Sequence, residues 1–171
     1  MTELVVLLDD DGAPAGTCPK ADVHTEDTPL HLAFSCHVYD AAGRVLLTRR
    51  ALSKVAWPGV WTNAFCGHPG PGEAPEAALE RRAQHELGLL VAGVEPVLPD
   101  FTYWARDAGG IVENEVCPVF RATTAADPVP REDEVCEWAW VEPASAKRAV
   151  LATPFAFSPW LVLQVEQGVW G

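Results

Sequence analysis

One segment of this chain limits its possible folds more than any other. It is a loop rich in glycine and proline that leads directly into an amphipathic helix. Residues 67–72 are typical of a tight loop, because all but one of them are Gly or Pro. Pro75 suits the first turn of a helix, and Gly88 suits the position after its last turn. Between them an apolar residue recurs every four positions from Leu79 to Leu87. The pattern predicts a helix that begins at Pro75, ends at Leu87 and buries one face.

Segments typical of β-strands lie on both sides of this helix. The predicted strands are 31–40, 44–50, 61–66, 101–106, 112–121 and 135–141, and the first two form a hairpin around the turn 41–43. Two further helices are predicted at 143–151 and 159–167. Strands interrupted by one helix and followed by terminal helices predict an α/β or α+β fold, with a mixed β-sheet core and flanking helices.

The composition predicts one globular domain and narrows the range of partners. A chain of 171 residues, 49% of them hydrophobic, is long enough to form a core, so we expect residues 1–171 to form a single domain. A formal net charge of −12 argues against nucleic acid or an anionic membrane as a partner, since both attract basic surfaces. The negative net charge is compatible with a small anionic substrate that binds in a pocket lined by Lys and Arg.

The same sequence predicts a cytoplasmic protein. No apolar run approaches the roughly 18 residues that a membrane span needs. The apolar stretch Leu4–Leu8 is followed by three aspartates and lacks the basic start of a signal peptide. The five cysteines are odd in number and form no Cys-x-x-Cys pair, so we interpret them as free thiols. Nothing in the sequence indicates an obligate protein partner.

Three histidines and two glutamates are candidate metal ligands. His24, His31 and His68 lie near predicted strand edges or loops, and Glu113 and Glu115 project from one face of a predicted strand. Two carboxylates that close repel each other unless a proton or a cation lies between them. Taken singly, each histidine is more often a surface residue. Together the five side chains predict a nitrogen- and oxygen-rich site that suits Mn²⁺, Fe²⁺, Co²⁺ or Zn²⁺ better than Ca²⁺.

The segment from Gly67 to Leu89 resembles the Nudix box and keeps its spacing without a gap. The resemblance implies a Nudix fold. In Nudix hydrolases the glutamates of the box bind the ions that activate water against a pyrophosphate. Here Arg82 and His85 replace two of them while Glu86 remains, which changes this face from one that holds cations towards one that holds anions. A simple surface ion pair between Arg82 and Glu86, four residues apart on the helix, is the alternative interpretation.

Further motifs lie at residues 31–35, 50–54, 57–63, 66–69 and 113–115. In order along residues 5–160, they are similar to those of type I isopentenyl-diphosphate isomerases, although Ala64-Phe65 stands where that family more often has polar or small residues. The resemblance implies the interconversion of isopentenyl and dimethylallyl diphosphate in isoprenoid biosynthesis, by an allylic proton shift through a tertiary, carbocation-like intermediate.

The resemblance also implies a role for particular residues. Cys66 and Glu115 become the acid/base pair, Tyr103 assists beside Glu115, and Trp160 faces the hydrocarbon end of the substrate. Glu86 and the backbone carbonyl of Cys66 hold Mg²⁺, which bridges to the diphosphate. The implied ligands of a second ion, Mn²⁺ or Zn²⁺, are His24, His31, His68, Glu113 and Glu115. The implied diphosphate-binding residues are Lys20, Arg50, Lys54 and Arg82.

Two other functions remain open from the sequence. A Nudix pyrophosphohydrolase acting on a nucleoside diphosphate derivative satisfies the spacing of the box, but two of its acidic ligands are missing. An inactive Nudix-fold module that binds a diphosphate or a metal predicts the loss of Cys66 or of the His/Glu set, and neither is lost. Residues 1–28 carry Lys20 and His24 ahead of the first predicted strand, and we expect this segment to close over the active site.

Overall fold

Two mixed β-sheets and the helices packed against them make up the structure, a computed structural model that describes residues 3–171. The strands are β1 (Leu4–Leu8), β2 (Pro14–Pro19), β3 (His31–Leu32), β4 (Phe34–Tyr39), β5 (Val45–Arg50), β6 (Trp61–Thr62), β7 (Phe65–Gly67), β8 (Ala92–Leu98), β9 (Thr102–Arg106), β10 (Val112–Val116), β11 (Val119–Thr123) and β12 (Val135–Val141). The helices are α1 (Lys20–Val23), α2 (Pro75–Leu87), α3 (Pro143–Ala152) and α4 (Pro159–Glu166), and a 3-10 turn covers Pro154–Ala156. Within residues 3–171, no helix is both long enough and apolar enough to cross a membrane.

The chain passes twice from the smaller sheet to the larger one. The smaller sheet has the order β2-β1-β3-β10-β9; the larger has the order β12-β5-β4-β11-β8, with β6 on β5 and β7 on β4. The crossings lie at Ala33, between β3 and β4, and at Cys117-Pro118, between β10 and β11. The strands before the crossings, β3 and β10, pair in parallel in the smaller sheet, with His31 opposite Glu115. The strands after them, β4 and β11, pair in parallel in the larger sheet. The junction therefore brings two predicted metal ligands side by side.

Helix α2 has the predicted bounds, for the predicted reasons. It begins at Pro75, and Gly88 ends it in the left-handed region (φ 63°), where its N–H is donated to carbonyls of the last turn. Leu79 and Leu87 are fully buried, which contributes about 1.5–3 kcal/mol each to folding. Beneath the helix, a Cβ on Gly67 would meet Cγ of Arg82 at 2.8 Å and the Phe34 ring of β4 at 2.7 Å, so glycine lets α2 approach β7 this closely.

Other elements depart from the predicted bounds. The hairpin of β4 and β5 is confirmed at Tyr39 and Val45. The predicted strands 31–40, 61–66 and 112–121 each form two strands instead of one. The break in 112–121 falls at Pro118, which has no N–H for a ladder. Strands β1, β2 and β8 and helix α1 were not predicted. Strand β8 contains Gly93 and Pro96 and resembles a loop in sequence, but it lies at the edge of its sheet, where proline is tolerated.

The N-terminal segment contains two strands that the sequence did not predict. Strands β1 and β2 form an antiparallel hairpin that joins the smaller sheet. The expectation that Lys20 and His24 precede the first strand is therefore wrong. The short helix α1 follows the hairpin directly, and Val23 at its end is buried. This anchoring carries Lys20 and His24 to the site described next.

Candidate active site

A cavity of about 230 Å³ gathers the predicted site residues. Its wall is formed by side chains from both sheets and from α1, α2 and α4. Among the predicted residues, only His31 is absent from the wall, because it is fully buried just behind it. The predicted residues that line the cavity are Lys20, His24, Arg50, Lys54, Cys66, His68, Arg82, Glu86, Tyr103, Glu113, Glu115 and Trp160.

Four of the predicted metal ligands form one compact group. One ligand atom from each of His24, His31, His68 and Glu115 lies within 4.8 Å of the others. Oε1 of Glu115 is 3.3 Å from Nε2 of His31 and 3.3 Å from Nε2 of His68. The fifth predicted ligand, Glu113, lies at the edge of the group, with Oε2 2.9 Å from Nε2 of His24. The group has the residue types and spacing of a divalent metal site.

Unsatisfied polar atoms within the group support the same interpretation. Nδ1 of His31 lies 2.9 Å from the carbonyl of Pro29 and donates to it, which leaves the lone pair of Nε2 directed at the group. Among the described residues, the buried atoms without a hydrogen bond of good geometry include Nε2 of His24, Nε2 of His31 and Oε2 of Glu113, although the first and the last lie 2.9 Å apart. Buried polar atoms are rarely left unpaired. A divalent cation fits these atoms, because it would accept their lone pairs together.

Burial and neighbouring groups shift the pKa values of the two glutamates in opposite directions. Burial raises the pKa of Glu113, and the charge of Glu115 raises it further. Burial also opposes ionisation of Glu115, but contacts with His31 and His68 outweigh it and hold the pKa of this carboxyl well below its usual value. Burial lowers the pKa of His68 to about 4, so its ring is neutral at pH 7. Two close carboxylates repel each other, and the neutral ring of His68 does not offset their negative charge, which a cation would compensate.

The alternation of β10 sets which side chains face the cavity. Glu113 and Glu115 point inward, as their spacing predicts, while Asn114 points away and donates to the carbonyl of Thr28 at 3.2 Å. On β9, Tyr103 is the cross-strand partner of Glu115. Burial raises the pKa of the Tyr103 phenol well above its usual value, and the charge of Glu115 adds to this effect. Tyr103 therefore keeps its proton beside the carboxylate.

Cys66 lies on β7, opposite Ser35 on β4. Its sulphur is 3.2 Å from Oγ of Ser35 and 3.5 Å from Nδ2 of Asn63. Burial raises the pKa of the Cys66 thiol to about 12, although the contact with Ser35 lowers it in part. The thiol is therefore protonated at neutral pH. Sequence reasoning missed Ser35 and Asn63, although both lie inside matching stretches, 31–35 and 57–63.

The indole of Trp160 is the centre of an aromatic group at the cavity wall. It is 2% exposed, and its ring centroid is 5.8 Å from that of Tyr103 and 5.5 Å from that of Trp57. Its Nε1 donates to Oδ1 of Asn63 at 3.1 Å, so one amide contacts both Trp160 and Cys66. The cavity thus has an aromatic surface next to its thiol.

The four predicted diphosphate-binding side chains line the same cavity and have protein partners. Lys20 pairs with Glu3 at 3.1 Å, and Lys54 pairs with Glu134. The guanidinium of Arg50 donates to the carbonyl of Ala56 at 2.8 Å. Sequence reasoning missed both acidic partners, because Glu3 and Glu134 are distant in sequence from the lysines and belong to no motif.

The ion pair between Arg82 and Glu86 is buried. The two residues are 4% and 8% exposed and line the cavity. The alternative interpretation of a simple surface pair is therefore wrong. Arg82 also lies 3.6 Å from Glu134. Burial raises the pKa of Glu86, and the charge of Glu134 raises it further. This end of the cavity therefore combines cations with a carboxylate that is poorly solvated.

Comparison with known proteins gives the family. A family model described as NUDIX domain matches residues 29–161. An isopentenyl-diphosphate Delta-isomerase from Clavibacter michiganensis subsp. michiganensis is 64% identical over 164 residues, which cover 96% of this chain and 84% of that protein. Proteins of the same name from Agromyces mediolanus and Kocuria rhizophila are 63% and 59% identical; each match covers 96% of this chain, and 80% and 92% of the respective protein.

Solved structures agree with the predicted fold. The protein DR0079 from Deinococcus radiodurans superimposes with a TM-score of 0.74 at 18% identity, over 96% of this chain and 98% of that one. A MutT protein from Methanosarcina mazei Go1 gives a TM-score of 0.62 at 17% identity, over 81% of this chain and 92% of that one. At these identities the likeness concerns the fold alone. The prediction of an α+β Nudix fold is confirmed.

Proposed function

The chain belongs to the isopentenyl-diphosphate Delta-isomerase family of Nudix-fold proteins, and from this membership we propose how its cavity moves a double bond. It is an isomerase that interconverts isopentenyl diphosphate and dimethylallyl diphosphate in isoprenoid biosynthesis. The predictions of family, enzyme class and small-molecule substrate are therefore confirmed. The observation that carries the proposed mechanism is that Cys66, Glu115 and the buried Trp160 line one cavity.

The proposed chemistry is a balanced exchange of two protons. One proton is added at C4 of isopentenyl diphosphate and one is removed from C2, so no atom is gained or lost. Cys66 and Glu115 are the two transfer groups: one donates while the other accepts, and the roles are exchanged in the reverse direction. The raised pKa of Cys66 keeps its thiol protonated before the reaction. Tyr103, next to Glu115 across the strands, assists as a hydrogen-bond donor to the carboxylate.

Trp160 has two tasks in this proposal. Protonation at C4 leaves positive charge on the tertiary carbon, and the face of an indole stabilises a desolvated cation by about 2 kcal/mol without acting as a nucleophile. Trp57 and Tyr103 pack around the indole. Their rings keep water away from the cationic carbon, which water would otherwise trap as an alcohol.

The protein uses divalent metal, and we propose where the ions are bound. Mn²⁺ or Zn²⁺ would be held by the three histidines and Glu115, with Glu113 beside them. When bound, this ion supplies positive charge that lets the two carboxylates lie close together and acidifies a proton on Glu115. Glu86 and the backbone carbonyl of Cys66 would hold Mg²⁺ at the diphosphate end.

The diphosphate would replace protein carboxylates as the partner of the basic side chains. Lys20 contacts Glu3, and Lys54 and Arg82 contact Glu134. Phosphate oxygens accept the same charged hydrogen bonds and carry more negative charge. Arg50 adds a fourth cation at the wall. The four cations explain how an acidic protein binds an anionic substrate.

We further propose that residues 1–28 close over the cavity, within a single domain that spans 1–171. Glu3 ties the N-terminal hairpin to α2 through Arg81 at 3.3 Å and contacts Lys20 at 3.1 Å. Substrate would take over the Lys20 contact and draw the segment inward. Limited proteolysis with and without a substrate analogue tests this closure, since identical cleavage patterns would contradict it.

The proposed location is the cytoplasm, without an obligate protein partner. All five cysteines are free thiols in the structure, and free thiols are typical of a reducing compartment. The net charge of −12 also argues against nucleic acid and anionic membranes as partners.

The test of this function separates isomerisation from hydrolysis. Purified protein with Mg²⁺ and Mn²⁺ is given isopentenyl diphosphate, and products are followed by proton NMR together with a phosphate assay. We expect dimethylallyl diphosphate to appear without release of phosphate. Release of phosphate without isomerisation would instead support a Nudix pyrophosphohydrolase, which the buried Arg82 in place of a box glutamate disfavours. Cys136→Ala, at an exposed cysteine, is the matched control for variants of Cys66.

A further inference from the structure

A chain of hydrogen bonds connects the C-terminal segment with Cys66. Nε1 of Trp170 lies 3.0 Å from Nδ1 of His37, and Nε2 of His37 lies 2.8 Å from Oε1 of Gln164. Nε2 of Gln164 is 3.0 Å from Oγ of Ser35, which is 3.2 Å from the sulphur of Cys66. Ser35, His37 and Gln164 are 0% exposed. These contacts join residues up to 133 positions apart in sequence.

The indole at one end fixes the direction of every bond. An indole N–H only donates, so Nδ1 of His37 must accept and its proton must lie on Nε2. His37 then donates to the carbonyl oxygen of Gln164, whose amide nitrogen donates to Oγ of Ser35. Burial lowers the pKa of His37 to about 4 and keeps the ring neutral, as this order requires. The hydroxyl proton of Ser35 is left to donate, and the nearest acceptor is the sulphur of Cys66.

The same order leaves Oδ1 of Asn63 as the acceptor for the Cys66 thiol among the described residues of the wall. One lone pair of Ser35 is taken by the amide of Gln164, and the thiol of Cys117, 3.5 Å away, can donate to the other. The Cys66 thiol can donate to Oδ1 of Asn63 at 3.6 Å, but this contact is long, and the oxygen already accepts from the Trp160 indole at 3.1 Å and from a neighbouring threonine hydroxyl at 2.9 Å. The proton of Cys66 is therefore held only weakly by the wall and is available to a group in the cavity.

We propose that this directed chain positions the Cys66 thiol for proton transfer, with Ser35, Gln164 and His37 as positioning residues. The proposal rests on the proposed function, in which Cys66 exchanges a proton with substrate. If the chain ran in the opposite direction, Ser35 would accept from Cys66 and hold its proton against the wall. A purely structural role would require only that the buried polar groups be paired, whichever way the bonds run.

The first test determines the direction of the hydrogen bonds in the wild-type protein from the tautomer of His37. The ¹⁵N chemical shifts of the imidazole of His37 distinguish a protonated Nε2 from a protonated Nδ1. We expect the Nε2–H form, at pH values where the fold is intact. An Nδ1–H ring would reverse the chain and overturn the proposal. This measurement does not depend on whether any variant folds.

The second test removes the hydrogen bond from Gln164 that fixes the direction of the chain and leaves the Cys66 thiol in place. Gln164→Met replaces the amide with an apolar chain of similar length, so Ser35 loses its fixed donor and is free to accept from Cys66. We expect kcat to fall about tenfold or more, with KM within about twofold of wild type because the diphosphate contacts are unchanged. Gln167→Met, at an exposed position on the turn after α4, is the matched control and should behave as wild type.

The outcomes separate this proposal from the proposed function. A wild-type kcat in Gln164→Met, with Cys66→Ala inactive, overturns the positioning role alone. An active Cys66→Ala overturns the proton-transfer role and the positioning role with it. If Gln164→Met does not fold, Trp170→Phe removes the donor at the half-buried end of the chain. A lowered kcat at constant KM in that variant supports the proposal, and an unchanged kcat overturns it.

Discussion

Glu115 and His31 lie opposite each other on two parallel strands, with 3.3 Å between Oε1 of the carboxylate and Nε2 of the imidazole. Both side chains are almost fully buried. Because the contact lies where the chain crosses from one sheet to the other, the pairing of β3 with β10 sets the positions of these two ligands. The contact of Nδ1 of His31 with the carbonyl of Pro29 orients the imidazole.

Loss of one histidine should weaken the metal site without unfolding the protein. His68→Asn removes one ligand of the group, and we expect metal affinity to fall about tenfold or more. Elemental analysis and calorimetric titration with Zn²⁺ or Mn²⁺ measure the change. His85→Asn, on the exposed face of α2, is the control and should retain wild-type metal content. Full occupancy in a triple variant of His24, His31 and His68 would exclude this site.

Loss of either member of the acid/base pair should lower kcat far more than it weakens substrate binding. Cys66→Ala and Glu115→Gln each remove a proton-transfer group and leave the basic side chains in place, so we expect kcat to fall by about 10²- to 10⁴-fold. Steady-state kinetics with isopentenyl diphosphate check this, and exposed Cys136→Ala should match the wild type. Near-normal turnover in Cys66→Ala would make that thiol structural.

The basic side chains should act mainly on substrate affinity. Lys54→Ala removes a cation at the cavity wall, and a charged hydrogen bond contributes about 1.5–3 kcal/mol. We expect the KM for isopentenyl diphosphate to rise about tenfold or more, with a much smaller change in kcat. Arg121→Ala, in an exposed pair with Glu95, serves as the control. A fall in kcat at constant KM would assign Lys54 to catalysis instead of binding.

Stability should depend on pH through the buried His37. Burial lowers its pKa from 6.5 to about 4. At intermediate pH the unfolded chain takes up a proton that the folded chain does not, so the free energy of unfolding falls as pH drops from about 6.5 to about 4. The full effect is about 3 kcal/mol. Urea unfolding of wild type and of His37→Gln across this range measures it. The variant should show a shallower slope, whereas exposed His85→Gln should keep that of the wild type.

The indole of Trp160 should matter most when positive charge develops on the substrate. Trp160→Phe keeps a weaker aromatic face and should be modestly slower, while Trp160→Leu keeps only an apolar wall and should be much slower. A tertiary-amine diphosphate carries a fixed positive charge where the cation would form. It should bind the wild type far more tightly than isopentenyl diphosphate does, and it should lose much of that advantage in Trp160→Leu. Equal binding of the amine and of a neutral analogue of the same shape would argue against a cationic intermediate.

Local patterns alone determined α2 and the inward face of β10. The bounds of the helix follow from Pro75 and Gly88, because the conformational preferences of proline and glycine act within one turn. The common face of Glu113 and Glu115 follows from the two-residue repeat of a strand. The motifs also named the side chains around the cavity, since each motif is a short stretch that can be recognised without knowledge of its neighbours.

Only the tertiary structure decided which of these side chains meet and what supports them. Gln164 occupies an apolar helix, where its sequence gives no sign of a partner, yet it bonds Ser35 across 129 positions and His37 across 127. Glu134 likewise contacts Lys54 and Arg82 from a loop that belongs to no motif. A buried polar group must be paired by whichever group packing brings within about 3 Å. That partner depends on how distant strands and helices pack, which no local pattern of residues encodes.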